Sequence, residues 1–438
     1  MLAAHAKEDS LLRRGKDTAH YFLDDVFSSK NFEDASKSKK KGRKGKSKFY
    51  GDANVEPYVL QLHSAYFTAQ VNNDYFINRY QPYLNYQGEF KFPEVGGITR
   101  GGFTDLLENH HFTIAYKLPA ANEGSDFFVR YENAQKKVDW GLSYFRKVET
   151  LKPDDKRNWV DENGNKYPGN AKGKTHNYEL FLEYPLSYNS YLGFQQALRQ
   201  DKTIFLATDK YSLDFLPIQS AWAITTMSYH LDKLKKTIPG LFKGYEAEAQ
   251  IDLFKGFSQS EVFGFGSNIK FCYHLPMYKL ITLVTQLQTG YSGGDAKVLY
   301  NMGGTDNNVT PQTDTSVHFA QNAPYAFQTL VTPFRGYYQN SLYGTQFFLA
   351  NLDLYFPIFQ TMIPIETPLP LINSLQLGAF TDIGTAKEKW YGYAPQGKWL
   401  QSYGISARTT LAGYPLRFDL AWPCTFSKKP VWYLSLKL

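Results

Sequence analysis

The stretch Gly290-Tyr291-Ser292-Gly293-Gly294 is the part of this sequence that best matches a catalytic motif. It fits the G-x-S-x-G pattern, in which a serine on a sharp strand-to-helix turn is the nucleophile of a hydrolase. That chemistry needs a helix after the serine and a histidine and an acid beside it. Here the serine follows a strand-like pattern and precedes a long loop, and no partner is identifiable. The sequence therefore does not predict a serine hydrolase.

The other candidates for chemistry are a histidine pair, two glycine-rich stretches and two cysteines. His110-His111 falls in a predicted three-residue turn without further ligands at metal spacing, which favours a solvated or interfacial pair. The stretches 264–266 and 302–305 lack the strand-turn-helix context of a phosphate cradle. The cysteines are too few for a disulfide framework and lack the paired spacing of a metal site. We predict that the protein is not an enzyme and holds no metal or cofactor.

The composition favours membrane-spanning strands. Aromatic residues make up 17% of the 438 residues, with 33 Tyr and 33 Phe. The mean hydropathy is only −0.43. No apolar run approaches the roughly 18 residues that a spanning helix needs, so helical spans are excluded. A spanning strand needs only about 9–11 residues and exposes every second one to lipid, which is compatible with modest hydropathy and many aromatic residues.

Period-two alternation predicts an antiparallel β-barrel. Between 245 and 253 the odd positions are Tyr, Ala, Ala, Ile and Leu, whereas the even positions are Glu, Glu, Gln and Asp. A polar lumen and an apolar exterior explain both faces, although a soluble sandwich or propeller also gives such strands. We predict an all-β, 16-stranded transmembrane barrel over 57–438, with strands at 58–70, 97–107, 111–118, 126–133, 137–148, 176–185, 189–199, 219–230, 242–255, 265–275, 279–290, 344–357, 374–384, 401–412, 414–422 and 431–438.

The connectors between these segments alternate between long and short. Outer-membrane barrels have short periplasmic turns and long external loops. The shortest connectors include 108–110 and 134–136, and the longest is 291–343. The alternation supports a barrel in the outer membrane of a Gram-negative bacterium, in contact with its lipid.

Residues 1–56 are polar and charged, and they predict a disordered basic linker. The net charge of the chain is +7, and eight Lys and Arg residues lie between 37 and 48. Without these eight the rest of the chain carries 7 − 8 = −1. Such a run can bind nucleic acid or anionic lipid, but a solvated linker is the preferred interpretation, and no nucleic-acid partner is expected. The N-terminus lacks the apolar core of a signal peptide. We therefore expect a mature, truncated or partial chain.

A series of ordered motifs resembles the bacterial surface antigen superfamily. The longest connector contains Val-Thr-Pro-Phe-Arg-Gly-Tyr at 331–337, and a strand at 351–357 reads Asn-Leu-Asp-Leu-Tyr-Phe-Pro. The pair resembles the Arg-Gly-aromatic loop and following strand of the Bam-type outer-membrane assembly factors and two-partner secretion transporters. Stretches 79–83 and 102–107 are similar to a subgroup that carries a TolB-like propeller before the barrel. Further matches occur at 302–304, 380–384, 403–408 and 417–421.

The resemblance implies a lumenal site built on one loop. In this superfamily the loop folds into the lumen, where its arginine meets carboxylates and aromatic residues. The implied loop motif here is Phe334, Arg335, Gly336 and Tyr337. Because Phe380 and Asp382 share one face of their strand, the implied partners on the strands are Asp353, Phe380 and Asp382. An arginine paired with carboxylates in a confined space can hold a long loop in place, with or without a direct role in transport.

The resemblance also implies a seam between the first and last strands that opens towards lipid. We expect Trp432, Leu434, Leu436 and Leu438 of the last strand to face lipid, with either weak pairing to 58–70 or a plain closed seam. The implied function is insertion or translocation of a polypeptide, or a lipid, across the outer membrane. The alternative is a plugged structural barrel that anchors a periplasmic or surface protein complex, favoured by the lack of recognisable POTRA modules. A passive porin is disfavoured by the long loop.

Overall fold

The computed structural model describes most of the predicted barrel. The predicted linker at 1–56 and the seam residue Leu438 lie outside the described residues. Those residues are 58–72, 76–77, 80–83, 90, 96–119, 124–151, 159–160, 166–167, 170–206, 216–238, 240–257, 262–314, 325–361, 370–388, 398–411, 414–424 and 429–436.

The described residues are almost entirely β-structure. The strands are β1 (Leu62–Asn72), β2 (Gln81–Pro82), β3 (Gly96–Asp105), β4 (His110–Pro119), β5 (Gly124–Asn133), β6 (Asp139–Leu151), β7 (Trp159–Val160), β8 (Lys166–Tyr167), β9 (Ala171–Ser187), β10 (Ser190–Phe205), β11 (Ile218–Asp232), β12 (Lys235–Ile238), β13 (Leu241–Gly256), β14 (Val262–Pro276), β15 (Thr282–Gly294), β16 (Lys297–Met302), β17 (Tyr325–Val331), β18 (Leu342–Gly344), β19 (Gln346–Pro357), β20 (Gln376–Lys387), β21 (Leu400–Leu411), β22 (Tyr414–Pro423) and β23 (Val431–Leu436).

Two helices of four residues, α1 (Ile358–Thr361) and α2 (Pro370–Asn373), occupy the connection between β19 and β20. No helix among the described residues is long and apolar enough to cross a membrane.

Seventeen strands form one large antiparallel sheet, which confirms the all-β antiparallel prediction. Sixteen pair in series: β1 with β3, then β4, β5, β6, β9, β10, β11, β13, β14, β15, β19, β20, β21, β22 and β23. Each predicted segment overlaps one of these strands. The seventeenth strand, β12, was not predicted and pairs with the start of β13.

The two faces of the sheet are inverted relative to a soluble protein. Ile251 is 51% exposed, whereas its neighbour Asp252 is fully buried. Leu198 at 55% and Arg199 at 3% repeat the contrast on β10. The same arrangement occurs at Tyr178 and Asn177, at Met227 and Thr226, and at Ile405 and Ser406. Because charged residues are almost never fully buried unless paired, the buried face must supply polar partners.

The longest connector, between β15 and β19, is not the plain loop that the sequence predicted. Its described residues contain β16, β17 and β18, of which β16 pairs with β17 in parallel and with β18 in antiparallel orientation. β2, from the connector after β1, pairs with β17 and completes a four-stranded second sheet. The sequence did not predict β16, β17 and β18 because strand pairing between distant loop segments leaves no local periodicity in the sequence. We call residues 295–345 the β15–β19 connector.

Candidate functional site

The β15–β19 connector places the predicted loop motif at a tight turn. The backbone N–H of Phe334 donates to the carbonyl of Gly304 at 2.9 Å, and the N–H of Gly304 donates back to the carbonyl of Phe334 at 3.0 Å. Gly336 has a φ of 86°, a conformation that favours glycine, and a Cβ there would lie 2.8 Å from the Cβ of Ser402. The turn is therefore fixed by backbone pairing on one side and close approach to β21 on the other.

Arg335 extends from this turn and bridges two strands of the large sheet. Its Nε and Nη2 donate to the carboxylate of Asp382 on β20 at 2.8 and 2.6 Å. Its Nη1 and Nη2 donate to the carboxylate of Asp353 on β19 at 2.6 and 3.2 Å. The backbone N–H of Arg335 adds a third bond to Asp382, at 2.9 Å. The arginine is 0% exposed, so both forked pairs lie away from water.

Aromatic and amide groups complete this cluster, which we call the Arg335 site. The Arg335 Cζ lies 3.6 Å from the centroid of the Phe380 ring, so Phe380 is a cation–π platform, not an acceptor. The Asn351 amide donates to Asp382 and to the carbonyl of Pro333, both at 2.8 Å. The hydroxyl of Tyr355 donates to Asp353 at 2.7 Å. The sequence analysis indicated Phe380 but not Asn351 or Tyr355. Both lie on β19 at alternate positions to Asp353, so they share its face of the strand.

The electrostatics of the Arg335 site favour a permanently charged arginine. Burial alone would lower the pKa of the Arg335 guanidinium, but the nearby carboxylates of Asp353 and Asp382 raise that pKa well above its ordinary value. Removing one partner of such a buried pair typically costs about 3–5 kcal/mol, because it leaves an uncompensated charge. The arrangement can clamp the connector onto β19 and β20.

The other two members of the loop motif extend the contact in different directions. Phe334 is fully buried, and its ring stacks on Tyr337 with centroids 4.8 Å apart. The Tyr337 hydroxyl donates to the carbonyl of Gln401 at 2.9 Å, and burial raises the pKa of that hydroxyl. The turn thus contacts β21 as well as β19 and β20.

The same connector reaches the opposite part of the sheet through aromatic residues. The ring of Phe327 on β17 lies 5.2 Å from Phe254 of β13 and 5.2 Å from Trp222 of β11. Tyr80 joins the group, 6.0 Å from Phe327, and its hydroxyl donates to Asp252 at 2.6 Å. The connector therefore contacts strands that are many places apart in the pairing series.

The remaining sequence candidates have structural partners. The Ser292 hydroxyl on β15 donates to the carbonyl of Phe265 on β14 and accepts from the N–H of Val298 on β16, both at 2.7 Å. His110 lies within 2.8 Å of Tyr131 and Gln135. Among the described residues no group of three or more His, Cys, Asp and Glu side chains has the arrangement of a metal site.

The described seam residues alternate with buried residues along β23. Trp432 of β23 is 45% exposed and Leu434 and Leu436 are half-buried, whereas Tyr433 and Ser435 between them are buried. Tyr433, which the sequence did not single out, accepts a bond from the N–H of Gly336 at 2.9 Å. Its hydroxyl donates to the carbonyl of Tyr337 at 2.8 Å. The last strand is thus tied to the same turn that carries Arg335.

Comparisons with known proteins identify the fold. No family model matches the chain, and no curated protein matches it. The structure of BamA from Haemophilus ducreyi lacking POTRA domains 1–3 aligns over 78% of this chain and 68% of its own, with 13% identity and a TM-score of 0.53. CdiB from Acinetobacter baumannii aligns over 78% and 56%, with 12% identity and a TM-score of 0.45. CdiB from Escherichia coli aligns over 87% and 63%, with 10% identity and a TM-score of 0.45.

The BamA alignment shows that this chain shares the fold of that structure. Sequence identity of 13% carries no residue roles with it. The propeller-bearing subgroup, the barrel count of sixteen and the functional roles of the site residues stay predictions.

Proposed function

We propose that this chain is a 16-stranded outer-membrane barrel that inserts or translocates a polypeptide, or a lipid, across the outer membrane of a Gram-negative bacterium. The β15–β19 connector folds inward and plugs the lumen, with the Arg335 site as its clamp. The observation that carries the proposal is the inverted sheet: apolar side chains are exposed along one face while charged and polar side chains are buried on the other. No covalent step is required.

The exposed apolar face supports a lipid environment. Leu142, Met227, Ile269 and Ile405 are each more than half exposed although they lie in the middle of long strands. An apolar surface of this extent is rare on soluble monomers, where it marks a membrane or a partner. Strands of ten to seventeen residues, such as β5 and β9, are long enough for a tilted span of about 9–11 residues.

The connector supports a plugged lumen. Its residues contact β11 and β13 through the aromatic group and β19 and β20 through Arg335, so it crosses the face on which polar residues are buried. In a closed sheet that face is the interior. The proposed barrel resembles the superfamily in this respect, and the propeller-bearing subgroup is the proposed branch within it.

The second candidate is a permanently plugged barrel that anchors a periplasmic or surface protein complex. The burial of Arg335 favours it, because a guanidinium with two forked carboxylate partners is costly to release. In this alternative the connector never moves, and external loops or a periplasmic segment bind the partner.

A reconstituted insertion assay tests the first candidate. The purified chain in lipid vesicles is offered a urea-unfolded outer-membrane barrel protein, and protease-resistant cargo is measured over time. We expect faster insertion than into protein-free vesicles. The Arg335→Ala variant should change that rate, and Arg199→Ala, which removes another buried arginine, is the matched control. A rate equal to that of empty vesicles would reject the transport function, and a stoichiometric protein copurifying from outer membranes would then support the anchor.

A further inference from the structure

A short segment of the β15–β19 connector pairs with the backbone of the last strand. The N–H of Val309 donates to the carbonyl of Leu434 at 2.8 Å, and the N–H of Leu436 donates to the carbonyl of Asn307 at 3.1 Å. Asn308 lies opposite Ser435 as an antiparallel bridge. Asn308 therefore forms a one-residue bridge to β23, preceded by Asn307 in a left-handed conformation with a φ of 55°. We call Asn307–Val309 the latch.

The latch lies on the edge of β23 that faces away from β22. In an antiparallel strand, successive residues direct their backbone groups to alternate neighbours. Because Leu434 and Leu436 bond to the latch, the backbone groups of Ser435 point the other way, towards its registered partner Arg417 on β22. The latch thus occupies the edge that the next strand of a closed barrel would use.

Side chains on the buried face join β23 to parts of the connector on either side of the latch. The hydroxyls of Thr305 and Ser435 lie 2.9 Å apart, in a contact that is buried on both sides. Tyr433, two residues before Ser435, bonds to the backbone of Gly336 and Tyr337. Movement of the Arg335 turn would therefore act on the same strand that the latch covers.

The first strand, in contrast, has a registered partner on one side. β1 pairs in register with β3, and no registered pairing among the described residues joins β1 to β23. Tyr66 is 43% exposed and Phe67 74%, so side chains on both faces of β1 are accessible there. A strand edge without a registered partner can pair with another strand.

We propose that the latch takes the place of a neighbouring strand at β23. It bonds to part of the free β23 edge, and β1 of the same chain pairs with that edge only when the latch leaves. This inference rests on the proposed barrel function, in which the seam between first and last strands opens to lipid. The latch makes two backbone hydrogen bonds to β23, few enough for exchange with an equivalent ladder from β1. The seam is thereby coupled to the position of the β15–β19 connector.

Hydrogen exchange of β1 tests the latch directly, in lipid nanodiscs containing the full chain. Val309→Pro removes the N–H that bonds to Leu434, while Val309→Ala keeps it and serves as the matched control. We expect the peptide covering 62–72 to exchange more slowly in Val309→Pro, by about fivefold for one net hydrogen bond shifted from latch to β1. Equal exchange of that peptide in the two variants would overturn the proposal.

A disulfide locks the latch in a variant without the two native cysteines. Asn308→Cys with Ser435→Cys joins a facing, non-hydrogen-bonded pair, whose Cα separation of about 4.5 Å suits a disulfide. Asn308→Cys with Arg417→Cys, one strand further away, should not cross-link. We expect hydrogen exchange over 62–72 to stay fast in the disulfide-locked chain and to become slower when the disulfide is reduced. Failure of the first pair to cross-link, or slow exchange in the locked chain, would contradict the latch. Both readouts are independent of cargo, so loss of the proposed transport function would leave them unchanged.

Discussion

Two buried arginines on the polar face of the sheet are held in different ways. Arg335 is 0% exposed and Arg199 is 3% exposed. Arg335 pairs with Asp353 and Asp382, which lie 18 and 47 residues away on two strands. Arg199 pairs with Asp201, two residues along its own strand, at 2.8 Å. The same residue type thus fixes tertiary structure in one place and mainly neutralises a local charge in the other.

The two arginines also differ in how strongly they attach the connectors to the large sheet. Arg199 also donates to the carbonyl of Tyr80 at 2.9 Å and lies 5.1 Å from the Phe327 ring, so it contacts the connectors through one hydrogen bond to an uncharged acceptor and one ring. Arg335 has four side-chain hydrogen bonds to carboxylates on other elements. Opposite charges in contact add a Coulomb attraction that a hydrogen bond to an uncharged carbonyl lacks. The Arg335 end of the connector should therefore be the stronger attachment.

The largest effect is expected for Arg335→Ala. The change leaves Asp353 and Asp382 buried without the guanidinium that bridges them, and it should lower the free energy of unfolding by about 3–5 kcal/mol. Urea titration in lipid vesicles, followed by Trp fluorescence, measures it. Arg335→Lys keeps the charge but not the fork and should recover only part of the loss. A loss below that of Arg199→Ala would break the comparison.

A smaller loss is expected for Asp382→Asn. Asp382 accepts three bonds from Arg335, whereas Asp353 accepts two. Hydrogen bonds to charged groups contribute about 1.5–3 kcal/mol each, so Asp382→Asn should destabilise more than Asp353→Asn in the same titration. The reverse order would show that Asp353 is the principal partner.

Arg199→Ala should cost less than Asp382→Asn. It leaves one carboxylate, Asp201, which keeps its bond from the Thr175 hydroxyl at 2.6 Å, whereas Arg335→Ala leaves two carboxylates without their bridging cation. We expect a loss of about 1–2 kcal/mol, the scale of one charged hydrogen-bonding group. Arg199→Lys is the control that keeps the charge. A loss equal to that of Arg335→Ala would mean that local pairing is as important as pairing across strands.

The smallest effect is expected for Phe380→Leu. The substitution removes the ring beneath Arg335 while keeping an apolar side chain, which should cost about 1 kcal/mol beyond packing. Phe254 is a fully buried ring, and no arginine among the described residues lies over it. Phe254→Leu therefore measures the stability lost through packing alone. If both variants lose the same stability, the cation–π contact contributes nothing.

The sequence predicted the strands of the large sheet, and together with the family resemblance it indicated four of the six side chains of the Arg335 site. Alternation is a local property of each strand, so all sixteen predicted segments overlap strands of the large sheet. Arg335, Asp353, Phe380 and Asp382 followed from the family resemblance, which the shared strand face of Phe380 and Asp382 fits. Tyr433 and the latch at Asn307–Val309 could not be predicted, because their contacts depend on how a long connector lies on distant strands. β16, β17 and β18 were missed for the same reason.

The measurement that most directly tests the clamped connector is single-channel conductance in planar lipid bilayers. We predict that the wild-type chain stays silent, that Arg335→Ala shows repeated openings, and that Arg199→Ala stays silent because the Arg335 site is intact. A wild-type chain that conducts steadily, or an Arg335→Ala variant as silent as the wild type, would contradict the claim that Arg335 holds the connector in the lumen.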